Sequence, residues 1–320
     1  MKNRKNISVL SICIVLLFFL TACTNEVIVN SEGKPVIKIG YLPITHAAPL
    51  YIEEALAEDG FEHFELELVK FGSWVDLMDA LNTGRIDGAS VLATIAMRGK
   101  EMDIDLRAVA LSHREGNAII VANDMERVED LKGKTFAIPH KISSHHVLLY
   151  LMLKQAGIAY DHVNVVEMPP AEMPAALSEG RISGYAVAEP FGAQAVVQGV
   201  GKVLFQEDEL WEYAIDCALV LRGELIDGYP QAAQEFVEKY IAAGIKAEKE
   251  KHQADQIIQE YMNVNDEVLE LSMEWISYDD LKINEKSYEQ LREFLIELEL
   301  LEDPPQYEEF VDNSLIEKVM

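Results

Sequence analysis

The feature that most constrains this chain is a segment written twice. Residues 80–91, ALNTGRIDGASV, return as residues 176–187, ALSEGRISGYAV, with seven of twelve positions identical at an offset of 96. The same offset carries Lys38 onto Lys134 and Pro43 onto Pro139, and lays the helical pattern after the first proline onto that after the second. A common offset across separate pieces is the mark of a structural unit used twice.

Each unit alternates strand and helix. In the first, residues 36–42 form a β-rich run. Pro49 and the spacing of Tyr51, Ile52, Ala55 and Leu56 predict a helix closed by Gly60. Phe64, Leu66 and Leu68 alternate with Glu65 and Glu67, a strand with one wet face. Ser73 can N-cap a helix through Asn82 that Gly84 ends, and residues 85–91 give the next strand. The second unit repeats this order: strand 135–138, helix 144–156, strand 163–167, helix 171–179 and strand 182–187. Such alternation predicts two α/β lobes with largely parallel sheets. The chain is expected to cross between lobes through 117–123 and to return through 217–222. Helical patterns at 229–250, 266–276 and 285–301 are expected to complete the first lobe. The boundaries so read are 36–120 plus 219–320 for lobe 1 and 121–218 for lobe 2. In open α/β sheets ligands bind outside the carboxyl ends of strands, which here are 42–48, 90–95, 138–146 and 188–191.

The N-terminus predicts export. Lys2, Arg4 and Lys5 precede an apolar run, 7–20, of about 14 residues, short for a bilayer span of roughly 20. Leu20-Thr21-Ala22-Cys23 follows, and resembles the bacterial lipoprotein box. That resemblance implies a signal peptide over 1–22, a lipidated (palmitate-bearing) Cys23 and a flexible tether over 23–35; an uncleaved anchor is the alternative. Of the three cysteines only Cys217 lies in the body, so no internal disulfide is expected, and its apolar surroundings read as core. The balance of 27 basic to 55 acidic residues, with three of the basic ones in the signal, argues against a nucleic-acid or anionic-lipid binding surface.

The segments GYLPITHAAPL (40–50), DLKGK (130–134), GRIDG (84–88) and AEPF (188–191) stand in an order similar to that of the solute-binding proteins for nitrate, sulfonate, taurine and bicarbonate. The likeness covers roughly 36–221. It implies a type II periplasmic-binding-protein-like fold, two similar α/β lobes around a ligand cleft with a helical C-terminal part. It also implies service to an ABC permease and its ATPase. Carried onto this chain, the resemblance places an aromatic near the pocket at Trp74 and a polar position at Asn117.

The residues themselves nominate the rest. Thr45 and His46 precede one helix; Ser143, Ser144 and His145 occupy the equivalent place in the second unit. Helix N-termini offer free amides and partial positive charge to an oxyanion. Ser143 or Ser144 can equally be a cap, and Trp74 core. Ser90 and Thr94 end the repeated strand and can donate hydrogen bonds. Glu189 and Phe191 close its second copy; Glu189 can orient donors, meet a cation or form a structural pair. Five of the eight histidines, His46, His113, His140, His145 and His146, fall in these loops. None shows metal-ligand spacing, so they read as neutral hydrogen-bonding groups, with no metal and no cofactor expected. No nucleophile elbow, phosphate loop or dinucleotide fingerprint occurs, which argues against an enzyme.

The expected function is therefore the extracellular, lipid-anchored solute-binding component of an ABC importer, acting as a monomer on the outer membrane face. A nitrate, sulfonate or taurine-like anion is the first choice of solute, although only Lys141 and Arg114 offer cations near the cleft. A thiamine-pathway pyrimidine or another aromatic heterocycle stacking on Trp74, Phe191 and Tyr41 is the rival. A surface sensor or accessory protein without a transport role is the reading from another class.

Overall fold

The computed structural model describes residues 27–57 and 60–319. The signal segment and Cys23 lie outside them. The strands in chain order are β1 Val36–Tyr41, β2 Glu65–Lys70, β3 Gly88–Leu92, β4 Leu106–Leu111, β5 Arg114–Glu115, β6 Asn117–Ala122, β7 Thr135–Ile138, β8 Asn164–Glu167, β9 Gly184–Ala188, β10 Gly201–Gln206, β11 Cys217–Arg222 and β12 Ile276–Ser277. Two five-stranded sheets result, β2-β1-β3-β11-β4 and β8-β7-β9-β6-β10. Their strand orders match, as the duplication demands.

The sheets are mixed rather than largely parallel. β1, β2 and β3 run parallel, but β11 pairs antiparallel with both β3 and β4. In the second sheet β6 is antiparallel to β9 and β10. The physical reason is the crossing. A strand that enters from the other lobe starts at the cleft and runs away from it, against the strands that end there. The segments expected to pass between lobes are thus ordinary sheet members: Asn117 already pairs with Ala188, and Cys217 with Leu92.

The repeated segment explains its own glycines. Gly84 and Gly180 each end a helix at φ +68° and +69°, a region in which a side chain is strained. The expected strand starts later than its sequence pattern, at Gly88 and at Gly184. A Cβ on Gly88 would fall 2.7 Å from the Val220 carbonyl oxygen, and one on Gly184 2.9 Å from that of Ile120. The antiparallel neighbour runs too close for a side chain.

Of the helices flanking the sheets, the four predicted ones begin at or within two residues of their expected starts, and those at Ala93 and Phe191 are additional. We number them α1 Ala48–Ala55, α2 Trp74–Asn82, α3 Ala93–Glu101, α4 Ser144–Gln155, α5 Met173–Ser178 and α6 Phe191–Val197. Ser73 accepts from the Asp76 amide at 3.2 Å and Ser143 from the His146 amide at 3.2 Å. Each such cap stabilises by about 1 kcal/mol. The central strands β3 and β9 are buried along their whole length, as strands covered by helices on both faces must be.

After β11 come α7 Pro230–Lys249, α8 Lys251–Tyr261, α9 Asp266–Glu274 and α10 Glu285–Glu297. α7 and α8 pack on α1 of the first lobe. α9 departs from the expectation and packs on α6 of the second lobe, where Ser272 Oγ donates to Glu189 at 3.2 Å. Glu297, at the end of α10, accepts from Tyr150 and from Lys154 of α4. The helical tail therefore adds to the first lobe through α7 and α8 and also reaches the second through α9 and α10. No helix among the described residues is long and apolar enough to cross a membrane.

Candidate functional site between the lobes

The carboxyl ends of β1, β3, β4, β7 and β9 meet the starting ends of β6 and β11. Asp216, immediately before β11, stands at the centre. Its carboxylate is 1% exposed and is approached by three imidazoles from three different strand ends. His46 Nδ1 lies 3.0 Å from Asp216 Oδ2, His113 Nε2 3.4 Å from the same oxygen, and His145 Nδ1 3.7 Å from Oδ1.

Backbone carbonyls decide which face of each ring is turned inward. A carbonyl oxygen only accepts, so the nitrogen beside it carries the proton. His46 Nε2 donates to Gly116 O at 2.9 Å and His113 Nδ1 to Glu115 O at 2.6 Å. In the neutral ring the other nitrogen then presents a lone pair, and both lone pairs face Asp216. The His46 and His113 rings stack with centroids 3.5 Å apart. His46 Nδ1, His113 Nε2 and both nitrogens of His145 are buried without a hydrogen-bond partner. Lone pairs facing a carboxylate in a buried centre repel unless a cation stands between them.

Protonation does not supply that cation at neutral pH for two of the rings. Burial, reinforced for His113 by the neighbouring His46, pushes His113 down to about 4; burial likewise takes His145 to about 4. Burial alone would raise Asp216, and it is positive charge among His145, His113 and His46 that would hold its carboxyl below the usual range. Asp216 also accepts from Ser144 Oγ and, at 3.3 Å, from the Cys217 thiol. One atom each from His46, His113, Asp216 and Cys217 lie within 4.8 Å of one another. That is the size of a single ion's coordination sphere, with a donor set of the kind that holds zinc. A ligating histidine that gives its second N–H to a backbone carbonyl is the usual supporting arrangement.

The other expected site residues divide. Ser144 and His145 reach the centre, while Ser143 is the helix cap. Thr45 does not face it: its amide and Oγ1 both donate to Glu189 O, at 3.0 and 3.1 Å, joining the lobes. Thr94 Oγ1 likewise donates across to Ile142 O at 3.0 Å. Ser90 Oγ donates to Ser112 Oγ, and Asn117 Nδ2 to the buried Glu207 at 3.0 Å. Burial, with Asp216 nearby, raises Glu207 well above the usual carboxylate range. Trp74 is 3% exposed within the hydrophobic core. Phe191 is half-buried, and Tyr41 packs edge-on against Tyr51 and Tyr261. Arg114 is held by Asp280 and the Lys282 carbonyl.

Glu189 is fully buried. Its Oε2 accepts from the Ala193 amide and from Ser272 Oγ, while Oε1 has no partner. Burial lifts it to about 8, so it is protonated at neutral pH. His140 and His146 bond to their own loop and stay out of the cluster. Two members of the centre carried no assigned role in the sequence: His113, noted only among the loop histidines, and Asp216. Cys217, expected as a buried small side chain, is buried and also touches Asp216.

Comparison with known proteins gives this centre its setting. Residues 30–261 match the model of the NMT1-like family. The chain is 28% identical over 250 residues to the nitrate import ATP-binding protein NrtC of Synechocystis, covering 71% of this chain and 37% of that protein. It is 28% identical over 227 residues to the nitrate/nitrite binding protein NrtA of Nostoc, covering 62% of this chain and 51% of that one. The chain thus spans a third to a half of the length of these relatives. The ligand-binding component of an ABC-type import system from Staphylococcus aureus, solved with zinc bound, superposes with a TM-score of 0.85 at 44% identity, covering 89% of this chain and 99% of that one. The fold is that of the periplasmic-binding-protein-like clamshells, and the chain belongs to the NMT1-like family.

Proposed function

We propose that this protein is the solute-binding component of an ABC importer, and that the solute enclosed between its lobes is a transition-metal ion of the zinc class held by His46, His113 and Asp216. The observation that carries the reading is the pair of imidazole lone pairs fixed by Gly116 O and Glu115 O against the Asp216 carboxylate. Imidazole nitrogen with a carboxylate suits zinc and its neighbours in the periodic table, whereas calcium and magnesium take oxygen sets. The zinc in the related Staphylococcus aureus protein supports it. In this reading Cys23 is lipidated on the outer membrane face, residues 23–35 are the tether, and a permease with its ATPase receives the solute.

A second reading takes its support from the relatives: a small oxyanion of the nitrate type. The cluster itself carries no lysine or arginine, and Arg114 is engaged elsewhere. One experiment separates the two. Chelator-stripped mature protein is titrated with zinc against a chromophoric competitor, and with nitrate, taurine and an alkanesulfonate by calorimetry. One zinc per chain, lost in His46→Ala and Asp216→Asn, is the expected result. Binding of an anion by protein that ignores zinc would establish the second reading instead.

A further inference from the structure

We infer that His145 is the fourth ligand of this metal site, delivered by the second lobe, so that lobe closure completes the coordination sphere and opening dismantles it. The inference rests on the metal reading above. His46, His113 and Asp216 all project from ends of first-sheet strands, β1, β4 and β11. They form a three-donor set on the strand ends of the first sheet. His145 sits in the first turn of α4, against the second sheet.

Three observations single it out. Its side chain is 1% exposed, and neither ring nitrogen has a hydrogen-bond partner. The other two histidines of the centre each have a carbonyl holding one nitrogen; His145 has none, so no hydrogen bond holds either of its nitrogens away from an ion. Its Nδ1 is 3.7 Å from Asp216 Oδ1, while the first-lobe imidazoles stand 3.0 and 3.4 Å from Asp216 Oδ2. Around tetrahedral zinc with nitrogen and oxygen ligands at about 2.05 Å, neighbouring ligand atoms lie about 3.3 Å apart. The three imidazole–Asp216 separations bracket that figure. Among the described residues the side chains with one donor atom each within 4.8 Å of one another are His46, His113, Asp216 and Cys217, so His145 completes the sphere by a small ring displacement toward the ion. Cys217 is the competing fourth donor, but it starts β11 on the first lobe and its thiol already donates to Asp216. A site closed by Cys217 would be complete in the open clamshell. Ser144, next to His145, donates to Asp216 from the same second-lobe turn, so two consecutive residues bring that lobe onto the centre.

The consequence is linkage. An ion that binds the closed form with four ligands and the open form with three shifts the equilibrium by the ratio of the two affinities. Metal-loaded protein closes, and metal-free protein opens.

The test uses mature protein, stripped of metal, as wild type, His145→Ala, Cys217→Ser and His46→Ala. Zinc affinity is measured by chelator competition, closure by small-angle scattering with and without saturating zinc, and ligand number by the visible spectrum of the cobalt(II) form. Metal-free melting curves control for folding. Expected for His145→Ala is a loss of affinity of about 100-fold or more, beyond the roughly 10- to 100-fold effect of an outer-sphere partner. It should show no contraction at saturation and a weakened tetrahedral cobalt band. Cys217→Ser, within the same 4.8 Å donor group, should keep tighter zinc binding than His145→Ala and should still contract. If His145→Ala binds and contracts like wild type, the inference is overturned. Losses confined to Cys217→Ser would overturn it in favour of the thiolate. Wild-type protein that binds no zinc would instead remove the metal reading itself.

Discussion

Glu189→Gln tests the electrostatics of the lobe junction in a way that can be worked through in advance. Burial holds the Glu189 carboxyl at about 8 in the folded protein, against an ordinary value of 4.5. The sign follows from which state keeps the proton. Unfolded chains release it above 4.5, whereas the folded chain retains it until about 8, so stability falls as pH rises across that window and then levels off. The cost is about 1.4 kcal/mol per pH unit, which reaches roughly 5 kcal/mol at pH 8. Glutamine removes this titration. It keeps an oxygen for Ala193 N and Ser272 Oγ, but sets an NH2 where Oε1 has no partner. That leaves buried donors unsatisfied, at about 1–3 kcal/mol. The two curves therefore cross. The variant is less stable than wild type by about 0–2 kcal/mol near pH 5 and more stable by about 2–4 kcal/mol near pH 8.5. For a chain of this size 1 kcal/mol moves the melting midpoint by about 2 °C. Calorimetric melting of both proteins from pH 5 to 9, with metal removed, reads the difference. Parallel curves would refute the assignment of a buried, protonated Glu189.

Zinc at about 100 times its dissociation constant stabilises wild-type protein by roughly 2.7 kcal/mol, and a chelator reverses it; thermal-shift measurement on Asp216→Asn should show no such gain. Gly88→Ala and Gly184→Ala each force a strand apart from a carbonyl under 3 Å away and should cost about 1–3 kcal/mol by denaturant midpoint, whereas Gly72→Ala, with open space around it, should cost less than 1 kcal/mol. Ser73→Ala removes the cap on α2 and should lower stability by about 1 kcal/mol in the same assay. Cys23→Ser should abolish incorporation of labelled palmitate and release the protein from the membrane fraction; undiminished labelling would contradict lipidation at Cys23.

The sequence by itself determined the frame. A twelve-residue repeat at a fixed offset implies two units of one design, because glycines at a helix end and beside a close strand recur only where the same backbone recurs. Alternating patterns placed the strands and helices, and Ser73 and Ser143 marked helix starts through capping chemistry that acts over three residues. Thr45, Ser144, His145 and Glu189, all legible as strand-end residues, stand at those ends, and Thr45 and Glu189 join the lobes there. What tertiary structure alone decided is the centre. His46, His113, His145 and Asp216 come one apiece from four separate ends, so no local spacing connects them, and metal-ligand motifs are visible in sequence only when ligands share a helix or a hairpin. Asp216 gained its place from pairing: Cys217 opposite Leu92 and Ala218 opposite Leu111 set the start of an antiparallel strand beside the ends of two others. The mixed direction of the sheets, hidden in the sequence because a buried strand reads alike either way, put a carboxylate among three imidazoles.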